Sequence, residues 1–168
     1  MRYGKRLDKR CAGGFQSCKK LTSINIPSTV TSIEELAFNY CLELTSINLP
    51  NGITTIEASV FSGCSSLPSI TIPSSVTSIK KDAFYGCKSL TTITIPSNVR
   101  TIGDTAFFQC TSLKLAYFEG NAPSTDSNSY WPIASIFWSC TSELKIYYRA
   151  DKSGWTTPTW NGYPTATW

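Results

Sequence analysis

The chain has 168 residues, a length that is typical of one domain. It carries a formal net charge of +4 and contains no histidine, which excludes nucleophilic sites of the Ser-His-Asp and Cys-His kinds. Its apolar and charged fractions are ordinary for a folded chain, and no apolar run approaches the roughly 20 residues that span a bilayer.

Residues 1–17 predict a basic arm followed by a decayed partial repeat. Within the first 20 residues, seven lysines and arginines stand against Asp8 alone, whereas the rest of the chain is slightly acidic. The net positive charge therefore comes from the N-terminal residues. Such a segment is more often a solvated arm than a patch that binds nucleic acid or a membrane. Phe15 precedes Cys18 by three residues, the offset at which phenylalanine precedes cysteine in the repeats that follow.

Residues 18–120 contain four tandem copies of a 23-residue unit and part of a fifth. The copies begin at Cys18, Cys41, Cys64 and Cys87, and Cys110 opens the partial one. A fixed period of this size predicts a solenoid, in which each coil buries its apolar face only against its neighbours.

The third copy illustrates one coil. Ile70 and Ile72 alternate with polar residues, which predicts a strand with one buried face. Pro73 ends that strand because it has no N–H to donate. The following 80–86 segment is long enough for one helical turn, and Gly86 suits the left-handed conformation that passes the chain to the next coil. Where Tyr40 and Gln109 replace this glycine, we expect the corner to close in another way.

The pattern C-x-x-L-T-S-I-x-I-P-x-x-V-T-S-I-x-x-x-A-F-x-G resembles the leucine-rich repeat of BspA-like bacterial surface proteins, nearly position by position from Cys18 to Gln109. The resemblance implies an α/β solenoid, mostly β, with about 23 residues per coil. It also implies a location at the cell surface or outside the cell. The N-terminus lacks the apolar core of a secretory signal, so the resemblance further suggests a fragment of a longer surface protein.

Five of the seven cysteines recur at the repeat period and should stack in one column. Neighbouring coils lie about 4.8 Å apart, a separation that is long for a disulfide between the Cβ atoms of parallel stacked residues. None of the cysteines shows the C-x-x-C spacing of metal sites. We therefore predict buried free thiols in the column and no metal, cofactor or catalytic residue.

The outward face of the strand ladder is the candidate binding surface. Two positions per coil point outward there, and most carry small polar side chains. The candidate residues are Ser23, Asn25, Ser46, Asn48, Ser69, Thr71, Thr92, Thr94 and Tyr117. Columns of Ser and Thr also suit a parallel sheet that binds nothing, so this alternative stays open.

Residues 121–168 differ in composition from the repeats and hold all five tryptophans. The last coil of a solenoid has an open apolar end and open strand edges that must be covered. The segment therefore predicts an aromatic-rich cap near Leu113 and Phe118, with Tyr147, Tyr148, Trp155, Trp160 and Tyr163 as its main members. The tail G-W-x-x-x-x-W-x-G-Y-P also resembles the C-terminal end of BspA-like arrays.

Together these observations predict a non-enzymatic protein-interaction module, part of a microbial cell-surface adhesin that binds an extracellular or host protein. The alternative is a carbohydrate-binding surface module that uses the C-terminal Trp and Tyr residues. Neither hypothesis involves nucleic acid or a membrane span.

Overall fold

The computed structural model describes residues 2–3, 14–125 and 135–168 of the chain. Most of the predicted basic arm lies outside the described residues. In chain order the strands are β1 (Arg2–Tyr3), β2 (Ser23–Asn25), β3 (Ser32–Ile33), β4 (Ser46–Asn48), β5 (Thr55–Ile56), β6 (Ser78–Ile79), β7 (Thr92–Ile95), β8 (Thr101–Ile102), β9 (Leu115–Phe118), β10 (Ser124–Thr125), β11 (Lys145–Tyr148), β12 (Thr159–Trp160) and β13 (Tyr163–Thr167). A single turn of 3₁₀ helix, Ser135–Phe137, precedes β11.

The strands form two ladders that run along the solenoid. The front ladder consists of two separate sheets, the pair β2–β4 and the sheet β7–β9–β11–β13, in which β12 pairs with β13 at the end. The back ladder is the sheet β5–β6–β8–β10, and in an earlier coil β3 pairs with β1. The pairing between coils is parallel and steps by one coil, so that Ile24 lies opposite Ile47 and Ile56 lies opposite Ile79. The predicted solenoid, mostly β with a coil of about 23 residues, is confirmed.

The front ladder is interrupted at the third copy. The segment Ser69–Ile72 was expected to be a strand, but it forms none, although it lies in the described part of the chain. In the preceding copy the Thr45 N–H donates to the Thr22 carbonyl at 2.8 Å. Pro68 occupies the position of Thr45 and has no N–H, so this bond is absent. Both isoleucines of the segment remain buried, and the packing of the coil is therefore retained.

A column of phenylalanine rings runs through the core. Successive rings stack with centroid separations of 5.1–5.7 Å. The column consists of Phe15, Phe38, Phe61, Phe84, Phe107 and Phe137. Because the repeat places the same ring at the same point of each coil, every interior ring packs against two others.

The corners between coils all use left-handed backbone. The segment 80–86 forms turns rather than the expected helical turn, with φ of 56° at Asp82 and 67° at Gly86. Tyr40 and Gln109 have φ of 56° and 58°, so the expectation that they close the corner differently is wrong. Hydrogen bonds between coils impose the conformation; for example, the Tyr40 N–H donates to the Ser62 carbonyl at 2.7 Å.

Gly103 lies against the backbone of the preceding coil. A Cβ atom at this position would lie 2.4 Å from the Lys81 nitrogen and 2.7 Å from the Lys80 carbonyl carbon. Both separations are far below van der Waals contact, so the coils would have to move apart. We expect Gly103→Ala to lower the free energy of unfolding by about 1–3 kcal/mol in urea denaturation.

The matched control for this prediction is Lys80→Ala. Lys80 occupies the same repeat position one coil earlier, where a side chain is already accommodated and exposed. This control should change the free energy of unfolding by less than about 0.5 kcal/mol. Equal losses in the two variants would contradict the prediction.

The C-terminal segment packs on the last coil. The Trp155 ring meets the Phe118 ring edge to face at 4.9 Å and stacks on Tyr148 at 5.1 Å. Trp160 is buried and meets the Phe118 ring at 5.7 Å. Tyr163 meets Phe137 at 5.4 Å. Four of the five aromatic residues expected in the cap therefore contact one another or the buried rings of Phe118 and Phe137, whereas Tyr147 contacts Tyr117 of the last coil.

A hairpin closes the end of the front ladder. β13 pairs in parallel with β11, and β12 folds back to pair with β13 in antiparallel fashion. The two residues between β12 and β13 are Asn161 and Gly162, with φ of 49° and 82°. Such left-handed pairs are typical of tight type I′ hairpin turns. As a result, β11 does not end the ladder as an open strand edge.

Candidate functional site

The outward side of the front ladder, called the front face here, carries all nine candidate residues. The strand register places Ser23 opposite Ser46 and Asn25 opposite Asn48. Further along, it places Thr94 opposite Tyr117. Seven of the candidates are exposed, and Thr92 and Tyr117 are half-buried. Ser69 and Thr71 lie between these two groups, in the coil where the ladder is interrupted.

Many hydroxyl groups of the solenoid are used by the backbone. The Thr45 Oγ1–H donates to the Thr22 carbonyl of the preceding coil at 2.9 Å, and the Thr77 Oγ1–H donates to the Thr54 carbonyl at 3.3 Å. Ser65, Ser75, Thr91 and Ser124 make equivalent bonds. The abundance of Ser and Thr is thus partly structural, because these side chains join consecutive coils.

The front face differs from these structural positions. Within residues 14–125 and 135–168, its eight polar side chains make no hydrogen bond to the protein. Their hydroxyl and amide groups therefore face solvent with unused donors and acceptors. A ligand could therefore bind these groups without disturbing the packing of the coils.

An aromatic cluster ends the front face. Tyr117 and Tyr147 lie opposite each other on β9 and β11, and their rings stack at 5.3 Å. Trp168 meets the Tyr117 ring edge to face at 5.3 Å. The Arg149 guanidinium lies 4.8 Å from the centre of the Trp168 ring. We call Tyr117, Tyr147, Trp168 and Arg149 the aromatic corner.

Tyr147 corrects one expectation from the sequence. It was assigned to the cap with Tyr148, but the two side chains lie on opposite faces of β11. Tyr148 is buried against Trp155, whereas Tyr147 is half-buried and stacks on Tyr117. Because successive side chains of a strand point to opposite faces, the adjacent positions of Tyr147 and Tyr148 already predict that they lie on different faces.

Exposed ion pairs are few among the described residues. Lys20 pairs with Glu43, Lys114 with Glu143, and Lys152 with Asp151, at 2.7–2.8 Å. The hydrogen bond and charge of the Lys114 ammonium lower the pKa of the Glu143 carboxyl. Such surface pairs contribute little to stability, and Arg149 belongs to none of them.

The thiols of the column are free, as predicted. Cys41, Cys64, Cys87 and Cys110 are buried free thiols, and Cys140 is a half-buried one. Each sulfur donates to the carbonyl of a phenylalanine in the preceding coil, at 3.0–3.2 Å. Cysteine at this position therefore supplies a hydrogen bond between coils as well as a small apolar side chain.

Cys18 is the exception in the column. It is disulfide-bonded, so the prediction of a free thiol is wrong at this position. The bond does not join it to the other described cysteines, which are all free. Cys18 is half-buried, whereas the next four sulfurs of the column are enclosed between coils. Those four are free thiols, in keeping with a coil spacing that is long for a disulfide between stacked Cβ atoms.

The buried thiols should resist chemical labelling. Loss of hydration raises the pKa of Cys41 to about 11 and that of Cys87 to about 12. A thiol reagent reacts with the thiolate, so low accessibility and a high pKa act together. We expect intact-protein mass spectrometry to find few labelled thiols until denaturant is added. Rapid labelling of Cys41, Cys64 and Cys87 in the native protein would contradict this expectation.

The same shifts make stability depend on pH. Below about pH 9, the ordinary pKa of 9.0, the thiols are protonated in both states and their contribution is complete. Above it, the unfolded chain releases protons that the folded chain keeps, so the free energy of unfolding falls as the pH rises toward 11–12. Cys87→Ala should make this fall shallower in denaturation curves at pH 8–11. An unchanged slope would contradict the assignment.

A concave feature lies near the C-terminal end of the described residues. A cavity of about 380 Å³ lies between the last corner and the C-terminal hairpin, lined in part by Trp138, Cys140, Leu144 and Tyr163. Burial raises the pKa of the Tyr163 hydroxyl to about 12. In the described part of the chain, no group of three or more His, Cys, Asp or Glu side chains could hold a metal ion. Nor is any helix there long and apolar enough to cross a membrane.

Comparison with known families gives one match. The family described as "BspA type Leucine rich repeat region" matches residues 11–141 with six copies of its repeat. No curated protein matches the chain significantly.

Solved structures of bacterial proteins share the fold. A leucine-rich cell surface protein from Faecalibacterium prausnitzii A2-165 is 41% identical over 69% of this chain, with a TM-score of 0.60. A leucine-rich repeat protein from Bacteroides ovatus ATCC 8483 is 30% identical over 83% of the chain, with a TM-score of 0.57. The leucine-rich repeat protein of T. pallidum is 27% identical over 80%, with a TM-score of 0.60. The chain spans 28%, 43% and 63% of the lengths of these three structures.

Proposed function

Because the chain belongs to the BspA-type leucine-rich repeat family, we propose that it is a non-enzymatic module that binds a protein ligand through its front face. The whole protein would act at a microbial cell surface as an adhesin for an extracellular or host protein. In this proposal residues 18–120 present the binding surface, and residues 121–168 cap the array.

The front face is the observation that carries the proposal. Its polar side chains are aligned along the solenoid, exposed, and without hydrogen bonds to the described chain. The columns lead into the aromatic corner, so polar and aromatic groups are available on one continuous surface. Polar contacts around aromatic anchors are the usual composition of protein interfaces.

One further observation supports a surface location. The F. prausnitzii structure is that of a leucine-rich cell surface protein.

Carbohydrate binding is the second candidate function. Trp168 favours it, because this ring is 52% exposed and aromatic surfaces can stack on sugars. Trp155 and Trp160 are less suited, since they pack against Phe118 and against each other. Trp138, at 41% exposure, is also accessible, but it stands apart from the polar columns. Binding of a sugar next to the front face would thus depend on Trp168 and its neighbours in the aromatic corner.

One experiment separates the two candidates. The chain is tested against immobilised extracellular-matrix proteins and against a glycan array, together with Asn48→Lys on the front face. Ser32→Lys is the control, because Ser32 is an exposed serine of β3, away from the front face. We expect a protein ligand whose binding weakens at least tenfold in Asn48→Lys and is unchanged in Ser32→Lys.

Other outcomes would overturn the proposal. Glycan binding that is lost in Trp168→Ala, without any protein ligand, would favour the carbohydrate function. Equal weakening of protein binding by the two lysine variants would place the ligand elsewhere on the solenoid. Reproducible turnover of a substrate would contradict both functions.

A further inference from the structure

We infer that the aromatic corner is the anchor of the protein interface and that the partner places a carboxylate against Arg149. This inference rests on the proposed function and adds to it the position of the strongest contact and the chemistry of the partner.

The ring geometry favours a protein over a sugar. Tyr117 and Tyr147 stack on each other, so each covers one face of the other. The Trp168 ring has the Arg149 guanidinium over it and the edge contact with Tyr117 beside it. The corner therefore presents ring edges, hydroxyl groups and N–H groups more than open ring faces. Edges and hydroxyl groups suit the side chains and backbone of a protein, whereas a pyranose stacks on an open face.

The charge of the corner selects an acidic partner. Along β11 the outward positions are Lys145, Tyr147 and then Arg149, which follows the strand. In the described chain, Arg149 has no carboxylate within ion-pair distance. Asp151 pairs with Lys152, and Glu119, which follows β9 at the register position opposite Arg149, forms no ion pair with it. The Arg149 guanidinium lies over the Trp168 ring, and a guanidinium has five N–H donors that can bind a carboxylate in bidentate fashion.

The corner is rigid before any partner binds. The Trp168 N–H donates to the Tyr148 carbonyl at 3.2 Å, which ties the tryptophan to β11. Tyr117 and Tyr147 are held in register by the strand pairing and by their stacking. Because these side chains are already ordered, little conformational entropy is lost on binding. Tyr, Trp and Arg are also the residue types that carry most of the energy of protein interfaces.

A phage-displayed library of random linear peptides is the probe. It is selected on the intact chain, and the enriched peptides are synthesised and titrated by fluorescence anisotropy. We expect Asp and Glu to be enriched over Lys and Arg, and replacing the acidic residue by its amide to weaken binding at least tenfold. Binding should also weaken as the salt concentration rises, since a charge pair is screened.

Variants of the chain test the assignment to the corner. Arg149→Gln and Tyr147→Ala should each weaken peptide binding at least tenfold, while Arg149→Lys should retain part of it. Arg100→Gln is the control, because Arg100 is an exposed arginine in a different part of the coil. The melting temperature of Arg149→Gln should match that of the unchanged chain, which separates a binding role from a structural one.

Three results would overturn the inference. If the enriched peptides are basic or uncharged, the inference that the partner is acidic is wrong. Peptides whose binding survives Tyr147→Ala and Arg149→Gln but is lost in Asn48→Lys would refute the anchor and leave the proposed function standing. Peptides that depend on neither the corner nor the polar columns would refute both.

Discussion

Replacement of Phe84 by alanine should lower the free energy of unfolding by roughly 3–5 kcal/mol. The ring is fully buried and stacks on Phe61 at 5.5 Å and on Phe107 at 5.1 Å. Because a solenoid coil is stabilised only by its neighbours, the cavity would weaken the contacts on both sides of the third coil. Urea denaturation followed by circular dichroism measures the loss.

Tyr85→Ala is the matched control for Phe84→Ala. Tyr85 is the next residue in the chain and also stacks on an aromatic ring, that of Phe108 at 5.1 Å, but it is only half-buried. Its removal leaves no enclosed cavity, so we expect a loss below about 1.5 kcal/mol. A loss as large as that of Phe84→Ala would show that burial is not the source of the effect.

Removal of the residues after Gly120 should lower the melting temperature by about 10–20 °C, because it uncovers Phe118 and the edge of β9. The burial of Trp160 alone corresponds to roughly 3–5 kcal/mol. The uncovered edge of β9 would also pair with other chains, so light scattering should detect end-to-end association.

Two point variants distinguish the cap from the front face. Trp160 is 7% exposed and contacts Phe118, so Trp160→Ala should reproduce much of the loss of stability. Trp168 lies on the front face, and Trp168→Ala should leave the melting temperature nearly unchanged. If the shortened chain stays monomeric and melts at the same temperature, the segment is not a cap. Its aromatic residues would then need a ligand to explain them.

The solenoid and most of its core could be predicted from the sequence because the same apolar pattern recurs in four copies. Ile, Val, Ala and Phe occupy the same positions in each copy, so a substitution in one copy does not obscure which positions are buried. The polar columns of the front face followed from the same register. Strand alternation alone placed Asn25 and Asn48 outward, and both are exposed.

Features that occur once were harder to predict. Pro68 departs from the repeat pattern, and the loss of its N–H donor was not considered when the strand was predicted from that pattern. The Asn161–Gly162 pair is typical of a hairpin turn, but the tail was interpreted as one aromatic segment without strands. The aromatic corner depends on Trp168 folding back toward Tyr117, a contact between strands that no spacing in the sequence encodes.

The left-handed corners show why glycine was not required. Tyr40 and Gln109 adopt this conformation although it costs an L-residue roughly 1–2 kcal/mol. Hydrogen bonds to the next coil offset that cost, because the Tyr40 and Gln109 N–H groups donate to the Ser62 and Trp138 carbonyls. At position 63 glycine is required for a steric reason, because a Cβ there would lie 2.8 Å from the Tyr40 ring.

The interruption at Pro68 divides the front ladder into two sheets. One sheet carries the Ser and Asn columns, and the other carries the aromatic corner. At the third coil, between the two sheets, the back ladder and the corners still connect the coils. The front of the third coil therefore has fewer backbone hydrogen bonds to its neighbours than the front of the other coils. We expect a pull along the solenoid axis to separate the coils there first.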